Sequence, residues 1–578
     1  MGMYCNPLNL DYGYQHYGKG AHREGADPTL ICFKGRYYLF VSMCGGFFYS
    51  DDLAHWQFHE NHMDLYRYAP DVREVNGQLV FCASTRGKVS TFWRTDDPLS
   101  DQFEKVSEPF AFWDPDLFCD DDGSCYLYWG CDCNQPIYGR RMDSKTLLPL
   151  EEPQEVIKPD AQNHGWERPH LPWMPKKKKN LFDWVMKLSG RDGEKYPYFE
   201  GAFMTKINGK YYLQYAAPGT ELPTYGNGTY VGDTPMGPFR YQEHNPISLK
   251  TGGFAKGAGH GSTIADSYGN LWHAATMMIS VNANFERRCG LFPAGVDEDG
   301  ILFCNQNFAD YPLDIPEGKF DARLVEPKWM LVSYKKKVSV SSETAGHEGT
   351  NAVDENIRTS WCAQGSKNEW LMIDLGECYQ VGAVQLNIAD VDVPLLKVDK
   401  EEKSDITTGN RYIDRENPLY TRWIMEYSLD GKDWMTLCDK SDTKDNLPDD
   451  FIELPQLTSM RYVRVTSVSL PYDKKFAING LRVFGEGNVQ RPAPVKGVTA
   501  ERICDDLSCK VSWNKVDGAL GYNVRYGIAP DKLYLSHMQY EDTEVRLGSL
   551  NKGQKYYFTV DCFNESGITK GTAVVVLE

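Results

Sequence analysis

The chain has no apolar run long enough to span a membrane, so no transmembrane helix is expected. Its opening, Met1 to Leu10, lacks a basic segment followed by an apolar one, so no signal peptide is visible. Basic residues are in deficit: 62 Lys and Arg stand against 80 Asp and Glu, a net charge of −18. That balance argues against nucleic acid and anionic membrane as main partners, and it leaves a neutral ligand such as a sugar open. The basic run Lys176 to Lys179 is short and reads as a solvated loop. Sixteen cysteines in 578 residues do not make a tight disulfide framework. Cys32, Cys82, Cys119, Cys125 and Cys562 lie inside strand-like runs and read as small apolar packers. Cys504 and Cys509 are a candidate pair that spacing alone does not decide.

What is present is length, aromatic residues and a period. A chain of 578 residues implies three or four cores. Hydrophobic residues make up 41% and aromatic residues 13%, so the chain is globular and rich in Tyr and Trp. The stretch "FEGAFMTKINGKYYLQYAA" (Phe199 to Ala217) is a strand, a turn at Asn208-Gly209 and a second strand. Similar hairpins recur at Ala26 to Ser42, Ala69 to Ser84, Asp114 to Gly130 and His260 to Met277. Five such units, about 40 residues each apart from one long insertion, predict an all-β, five-bladed propeller. Each first strand lines the channel, so the residues eight or nine before the turn glycines share one end of it. Those residues are Asp27, Ala69, Asp114, Glu200 and His260. Like charges gathered on one axis destabilise a fold unless something uses them.

Three carboxylates around a pocket suit acid–base work on an acetal. One is held protonated and one ionised, roughly 6.5–9.5 Å apart in an inverting enzyme. A third beside the acid raises its pKa by repulsion. Asp27 in "ADPTL", Asp114 in "WDPDLFCDDDG" and Glu200 in "EGAF" resemble the catalytic carboxylates of glycoside hydrolase family 43. The resemblance covers about residues 1–325 and implies an inverting propeller that acts on arabinofuranosides, xylosides and some galactosides. It makes Asp27 the general base, Asp114 the pKa modulator and Glu200 the general acid. "GHGS" around His260 resembles the family's axial histidine motif, which implies a central calcium held through water. Arg287, or Arg288 one residue on, takes the place of the arginine that contacts the sugar. Trp113 and Phe47 are the aromatic substrate-binding candidates. Phe48, Trp166 and Trp173 stand beside them, with packing the stronger reading for all but Trp113. Glu167 in "GWERP" competes for the acid role from outside the repeat. The insertion Pro159 to Pro197, with "LFDWVMKLS" as a short helix, is expected to wall the pocket.

Beyond about residue 326 the pattern changes. "NAVDENIRTSW" and "FAINGLRVFG" resemble a coagulation-factor type C, discoidin-like β-sandwich over residues 326–487. That resemblance implies a calcium loop with Asp354, Asn356 and Thr359 as oxygen ligands. Asn479 stands where the family's final strand often carries a Glu ligand. A Pro-containing linker at Asn488 to Gly497 leads to residues 488–578, which resemble a small fibronectin type III sandwich, usually a spacer. The expected function is an exo-glycosidase that releases terminal arabinofuranose or xylose from a polysaccharide or oligosaccharide, in the periplasm or secreted. A galactofuranosidase or β-galactosidase of the same fold, a catalytically silent carbohydrate-binding protein and a propeller scaffold for protein partners are the alternatives. No cofactor is expected for the chemistry itself.

Overall fold

The computed structural model describes residues 2–17, 20–61, 68–85, 88–174, 196–396, 412–414, 417 and 419–578. The run Lys176 to Lys179 and the helix expected at "LFDWVMKLS" lie outside the described residues. Among those described, strands dominate and helix is confined to short 3-10 turns, so no helix is long and apolar enough to cross a membrane.

Five antiparallel sheets follow one another along the chain. Blade 1 runs through Thr29–Phe33, Arg36–Phe40, Gly46–Ser50 and Gln57–Glu60, and blade 2 through Asp71–Val75, Gln78–Cys82, Phe92–Thr95 and Glu104–Ser107. Blade 3 uses Asp116–Cys119, Cys125–Trp129, Ile137–Met142 and Gln154–Ile157. Blade 4 uses Tyr198–Ile207, Lys210–Ala217, Gly226–Gly232 and Phe239–Tyr241, with Asp132–Cys133 added at its inner edge. Blade 5 uses Lys256–Ala265, Leu271–Met278, Arg287–Val296 and Leu302–Cys304. The ring closes where Ser262 of blade 5 takes the Leu30 N–H and donates to the Pro28 carbonyl. The strand Met3–Tyr4 pairs with Leu313–Asp314 across the same seam.

The innermost strands share a repeated kink, two residues before the strand in blades 1 to 3 and within it in blades 4 and 5. Asp27, Ala69, Asp114 and His260 all have left-handed φ, between 42° and 52°. For non-glycine residues this conformation costs about 1–3 kcal/mol each and collects where a site needs a side chain aimed off the strand. In blade 4 the left-handed residue is Gly201, φ 64°, not Glu200. A Cβ at Gly201 would lie 2.8 Å from His260 Cγ, so only glycine lets that ring in. Glu200 therefore stands one residue before its blade's kink, and the pairing with the next strand slips between Glu200 and Phe203.

Cys119 and Cys125 are not separate packers. They sit opposite each other on the first hairpin of blade 3 and form a disulfide. Cys504 and Cys509 are free.

The second β-region is an eight-stranded assembly dominated by Trp370–Ile388, Asp449–Ser469 and Ala477–Glu486. Register shifts in the two longest strands let them bend around a core of Trp361, Trp423, Ile373, Val465 and Leu481. It joins the propeller by buried polar contacts rather than a tether. Tyr412–Ile413 adds a third strand to the propeller hairpin Tyr14–Tyr17 and Gly20–Arg23. Arg482, 1% exposed, pairs with Glu355 and donates to the Asp310 carbonyl.

The last region is two sheets, one of Thr499–Arg502, Cys509–Ser512 and Glu544–Leu547, the other built around Gly521–Gly527 and Tyr556–Asn564. It is not a spacer. Its core is continuous with blade 4 through Trp166, Tyr215, Leu547 and Leu550. Arg168 reaches Asp505 at 2.6 Å, and Lys532 reaches Asp297 at 2.6 Å.

Candidate active site

The strained starts of blades 1, 3 and 5 converge. His260 Nδ1 lies 3.4 Å from Asp27 Oδ1 and 3.7 Å from Asp114 Oδ2, so one imidazole stands between two carboxylates. Carboxylate oxygens of Asp114 and Glu200 lie with the Cys131 sulfur inside a 4.8 Å cluster. The structure therefore brings Asp27, Asp114, Glu200 and His260 to one end of the channel.

Each is held differently. Ser42 Oγ donates to Asp27 Oδ2 at 2.6 Å, and the Asp27 N–H donates to Thr276 Oγ1. Ser84 repeats the device one blade on, donating to Asp114 Oδ1 at 3.2 Å while it takes the Asp114 N–H at 2.8 Å. Arg287 NH1 lies 3.2 Å from Asp27 Oδ1, while NH2 lies 2.5 Å from Glu24 Oε1. Burial opposes charge on Arg287, but Asp27 and Glu24 outweigh it and the guanidinium stays charged. Glu200 accepts from Tyr225 O–H at Oε1, 2.7 Å, and from the Cys131 thiol at Oε2, 3.1 Å. Burial and the neighbouring carboxylates push both donors up, so phenol and thiol keep their protons. Burial, joined by Glu200 and Asp27 against the pull of His260, raises the Asp114 carboxyl to about 7. Four acids face two bases here, with Asp27, Asp114, Glu24 and Arg287 buried and Glu200 and His260 partly exposed.

Other candidates lie elsewhere. Of the two arginines, Arg287 faces the carboxylates. Arg288, next along the strand, turns away to Asp449 of the second region at 3.0 Å. Phe47 and Phe48 are each 1% exposed: Phe47 packs on Phe40 and Phe48 on Phe58 inside blade 1, which corrects the expectation that Phe47 binds substrate. Trp166 is wholly buried and donates to Tyr241, and Trp173 sits beside Gly548 in the C-terminal contact. Glu167 is consumed by the Asp160 N–H, His164 and Tyr215, away from the cluster. Trp113, half-buried, directly precedes Asp114 and stays at the site.

The sequence reading missed Ser42, Ser84, Glu24, Tyr225, Cys131 and the exposed ring of Phe285, 5.2 Å from the Arg287 guanidinium. The serines had a signal: both stand two residues after the second strand of their repeat. Tyr225 and Cys131 had none, because strand slippage at Glu200 decides what they touch.

In the loop of the second region, Asp354 accepts the Asn356 N–H and the Thr359 O–H, and Thr359 donates on to the Asn356 carbonyl. Asn479 donates its amide to the Thr359 carbonyl at 2.9 Å. Calcium takes six to eight oxygens. Of the three residues expected as ligands, Asp354 alone is a carboxylate, and both its oxygens are already satisfied within the loop. The donor set fits calcium poorly.

Residues 22–302 match the family model described as Glycosyl hydrolases family 43, and residues 351–465 match that of the NedA-like, galactose-binding domain. A "Beta-xylosidase" of Xylanibacter ruminicola is 23% identical over 268 residues, 38% of this chain and 78% of that protein. A "Xylosidase/arabinosidase" of Bacteroides ovatus is 31% identical over 133 residues, 22% of this chain and 39% of that protein. A solved xylan beta-1,4-xylosidase from Bacillus halodurans C-125 is 14% identical with a TM-score of 0.40, covering 84% of this chain and 100% of that one. The carboxylates that meet at the channel mouth thus lie within a glycosyl hydrolase family 43 domain, and the chain is a glycoside hydrolase with a discoidin-like, galactose-binding domain behind its propeller.

Proposed function

We propose that this glycoside hydrolase is exo-acting and inverting and releases a terminal xylose or arabinofuranose. The observation that carries the reading is the meeting of Asp27, Asp114 and Glu200 on three blades at one end of the channel. Glu200 protonates the departing glycosidic oxygen. Asp27 takes a proton from a water that attacks the anomeric carbon from the opposite face, which inverts the centre. Arg287 balances the charge of Asp27, and Asp114, at about 7, exchanges a proton close to neutrality beside Glu200. The pentose preference rests on the names of the two curated relatives, a xylosidase and a xylosidase/arabinosidase. A galactofuranosidase or β-galactosidase on the same carboxylates is the second reading. A silent carbohydrate-binding role leaves the strain at Asp27, Asp114 and His260 without a use.

Polysaccharide substrates place the enzyme in the periplasm or outside the cell, and the Cys119–Cys125 disulfide favours an oxidising compartment. Calcium on the channel axis remains part of the proposal. His260 spends Nδ1 on the carboxylates, which leaves Nε2 to meet an ion through water. The ion would stiffen the channel, so a chelator should lower the melting temperature. The C-terminal sandwich is read as fibronectin type III-like.

The test separates acid from base by leaving group. An acid matters for a sugar alcohol, which leaves poorly, and little for dinitrophenolate, which leaves unaided. Glu200→Gln should lose roughly 10²–10⁴-fold on natural glycosides and far less on dinitrophenyl glycosides. Asp27→Ala should fail on both. Equal losses in Glu200→Gln with selective loss in Asp27→Ala would reverse the roles, and full activity in both variants would sink the assignment.

A further inference from the structure

We infer that Asp449 of the galactose-binding domain is a positioning residue for hydrolysis: through Arg288 it fixes the backbone that aims Arg287 at Asp27. Two adjacent pairs of residues carry the arrangement, Arg23 with Glu24 and Arg287 with Arg288. Side chains of successive residues along extended backbone point to opposite faces. Glu24 and Arg287 turn to the site and pair at 2.5 Å, and Arg287 continues to Asp27 at 3.2 Å. Arg23 and Arg288 turn the other way, to Asp390 and Asp449 of the second domain, at 3.2 and 3.0 Å. All six of these paired side chains outside Asp27 are buried.

Arg288 does more than pair. While its Nε donates to Asp449, its NH1 donates to the Arg287 carbonyl at 3.0 Å and to the Arg23 carbonyl at 3.4 Å. One guanidinium thus staples together the two backbone segments that carry Glu24 and Arg287. Asp449 is itself fixed, because its other oxygen accepts the Asn387 amide at 2.8 Å across the ladder of the domain's two longest strands. Arg287 needs such support: its Nε is buried and meets no acceptor among the described residues. A second grip falls on the loop before Arg287. Asn282 donates to the Asp390 carbonyl at 2.8 Å, and Arg358 donates to the Ser280 carbonyl at 3.2 Å. That loop carries Phe285, whose ring lies 5.2 Å from the Arg287 guanidinium. A misplacement of about 1 Å can cost a hundredfold in rate, so a small shift of this backbone is felt at the reacting bond. The role holds whichever carboxylate is the acid and whichever sugar is released, and so goes beyond the proposed function.

The test is a double-mutant cycle on the full chain, read as kcat/KM on an aryl glycoside that the wild-type chain hydrolyses, well below the melting temperature. Asp449→Ala should lose roughly five- to twentyfold in the wild-type background and less than about twofold in Arg287→Ala, where nothing remains to be aimed. Asp449→Asn keeps an acceptor for Arg288 and should recover part of the loss, and it carries the cycle if Asp449→Ala folds poorly. Glu355→Gln weakens the Arg482 pair, a buried contact of the same domain outside the two residue pairs. It should lower the melting temperature and leave kcat/KM within about twofold, which separates lost stability from lost aim. Equal factors for Asp449→Ala in both backgrounds, or no loss in the first, would overturn the positioning role and leave Asp449 a structural contact. An exchange of acid and base in the leaving-group test would overturn the proposed function and leave this cycle as it is.

Discussion

Asp114 at the propeller mouth and Asp390 at the junction with the galactose-binding domain are both 4% exposed, yet their carboxyls are driven in opposite directions. Burial raises Asp114 to about 7, with Glu200 and Asp27 adding to it and only His260 pulling the other way. Burial works on Asp390 just as hard, but Lys474, Arg23 and Arg288 outweigh it and hold the carboxyl well below the usual range. Lys474 and Arg23 contact Asp390 directly, and Tyr14 donates to it at 2.7 Å. Depth is the same, so company decides. The balanced cluster fastens two domains, and the unbalanced one has chemistry left over.

The largest expected effect is on the fastening. Asp390→Ala strands Arg23 and Lys474 as buried charges, and removing one partner of such a set costs about 3–5 kcal/mol. The variant should melt several degrees lower, and the junction should open to proteolysis first. A melting temperature within a degree of wild type would mean that the two cations find water or another acid, and the comparison would lose one side. Deleting residues 326–578 should do worse, because Arg288, Arg23 and Asp310 all lose partners from beyond the propeller.

This junction was the least legible part of the sequence. Arg23 and Asp390 are 367 residues apart, and nothing local to either announces the other. The propeller was legible because its signal repeats: five hairpins, each preceded by a residue at the same channel end. That repetition placed Asp27, Asp114 and His260 together. It also made Glu200 look equivalent to them, although the kink falls on Gly201, because residue counts do not report a slipped register. Choosing between Arg287 and Arg288 needed the strand face, which alternates with every residue, so a one-residue ambiguity sent the two candidates to opposite sides. The Cys119–Cys125 disulfide carried a signal that went unread: two cysteines flanking the Gly123 turn of a hairpin face each other across it.

The second effect runs through pH. The folded-state carboxyl of Asp114 sits near 7 against an ordinary 3.8, so the folded protein binds more protons than the unfolded chain between these values. Stability from this group is full below about pH 4 and is lost as pH rises towards 7. Asp114→Asn cannot ionise and escapes it. The melting temperature of the variant, relative to wild type, should therefore climb between pH 4 and pH 7.5, whatever happens to activity. A constant difference across that range would show that Asp114 is not held protonated, and its contrast with Asp390 would vanish.

The smallest effect sharpens the comparison by taking depth away. Arg36 Nε lies 2.7 Å from Asp51 Oδ1, closer than Arg23 comes to Asp390 or Arg287 to Asp27, but the side chains are 36% and 70% exposed. Water screens the pair, both partners are already solvated when apart, and holding two flexible side chains together costs entropy. Neither charge is stranded when the other goes. Asp51→Ala should shift the melting temperature by less than about one degree, and raising the salt concentration should shrink that difference further. If Asp51→Ala instead approached the loss expected for Asp390→Ala, short distance rather than burial would be the controlling variable. The opposed behaviour of Asp114 and Asp390, equal in depth and different in neighbours, would then need another cause.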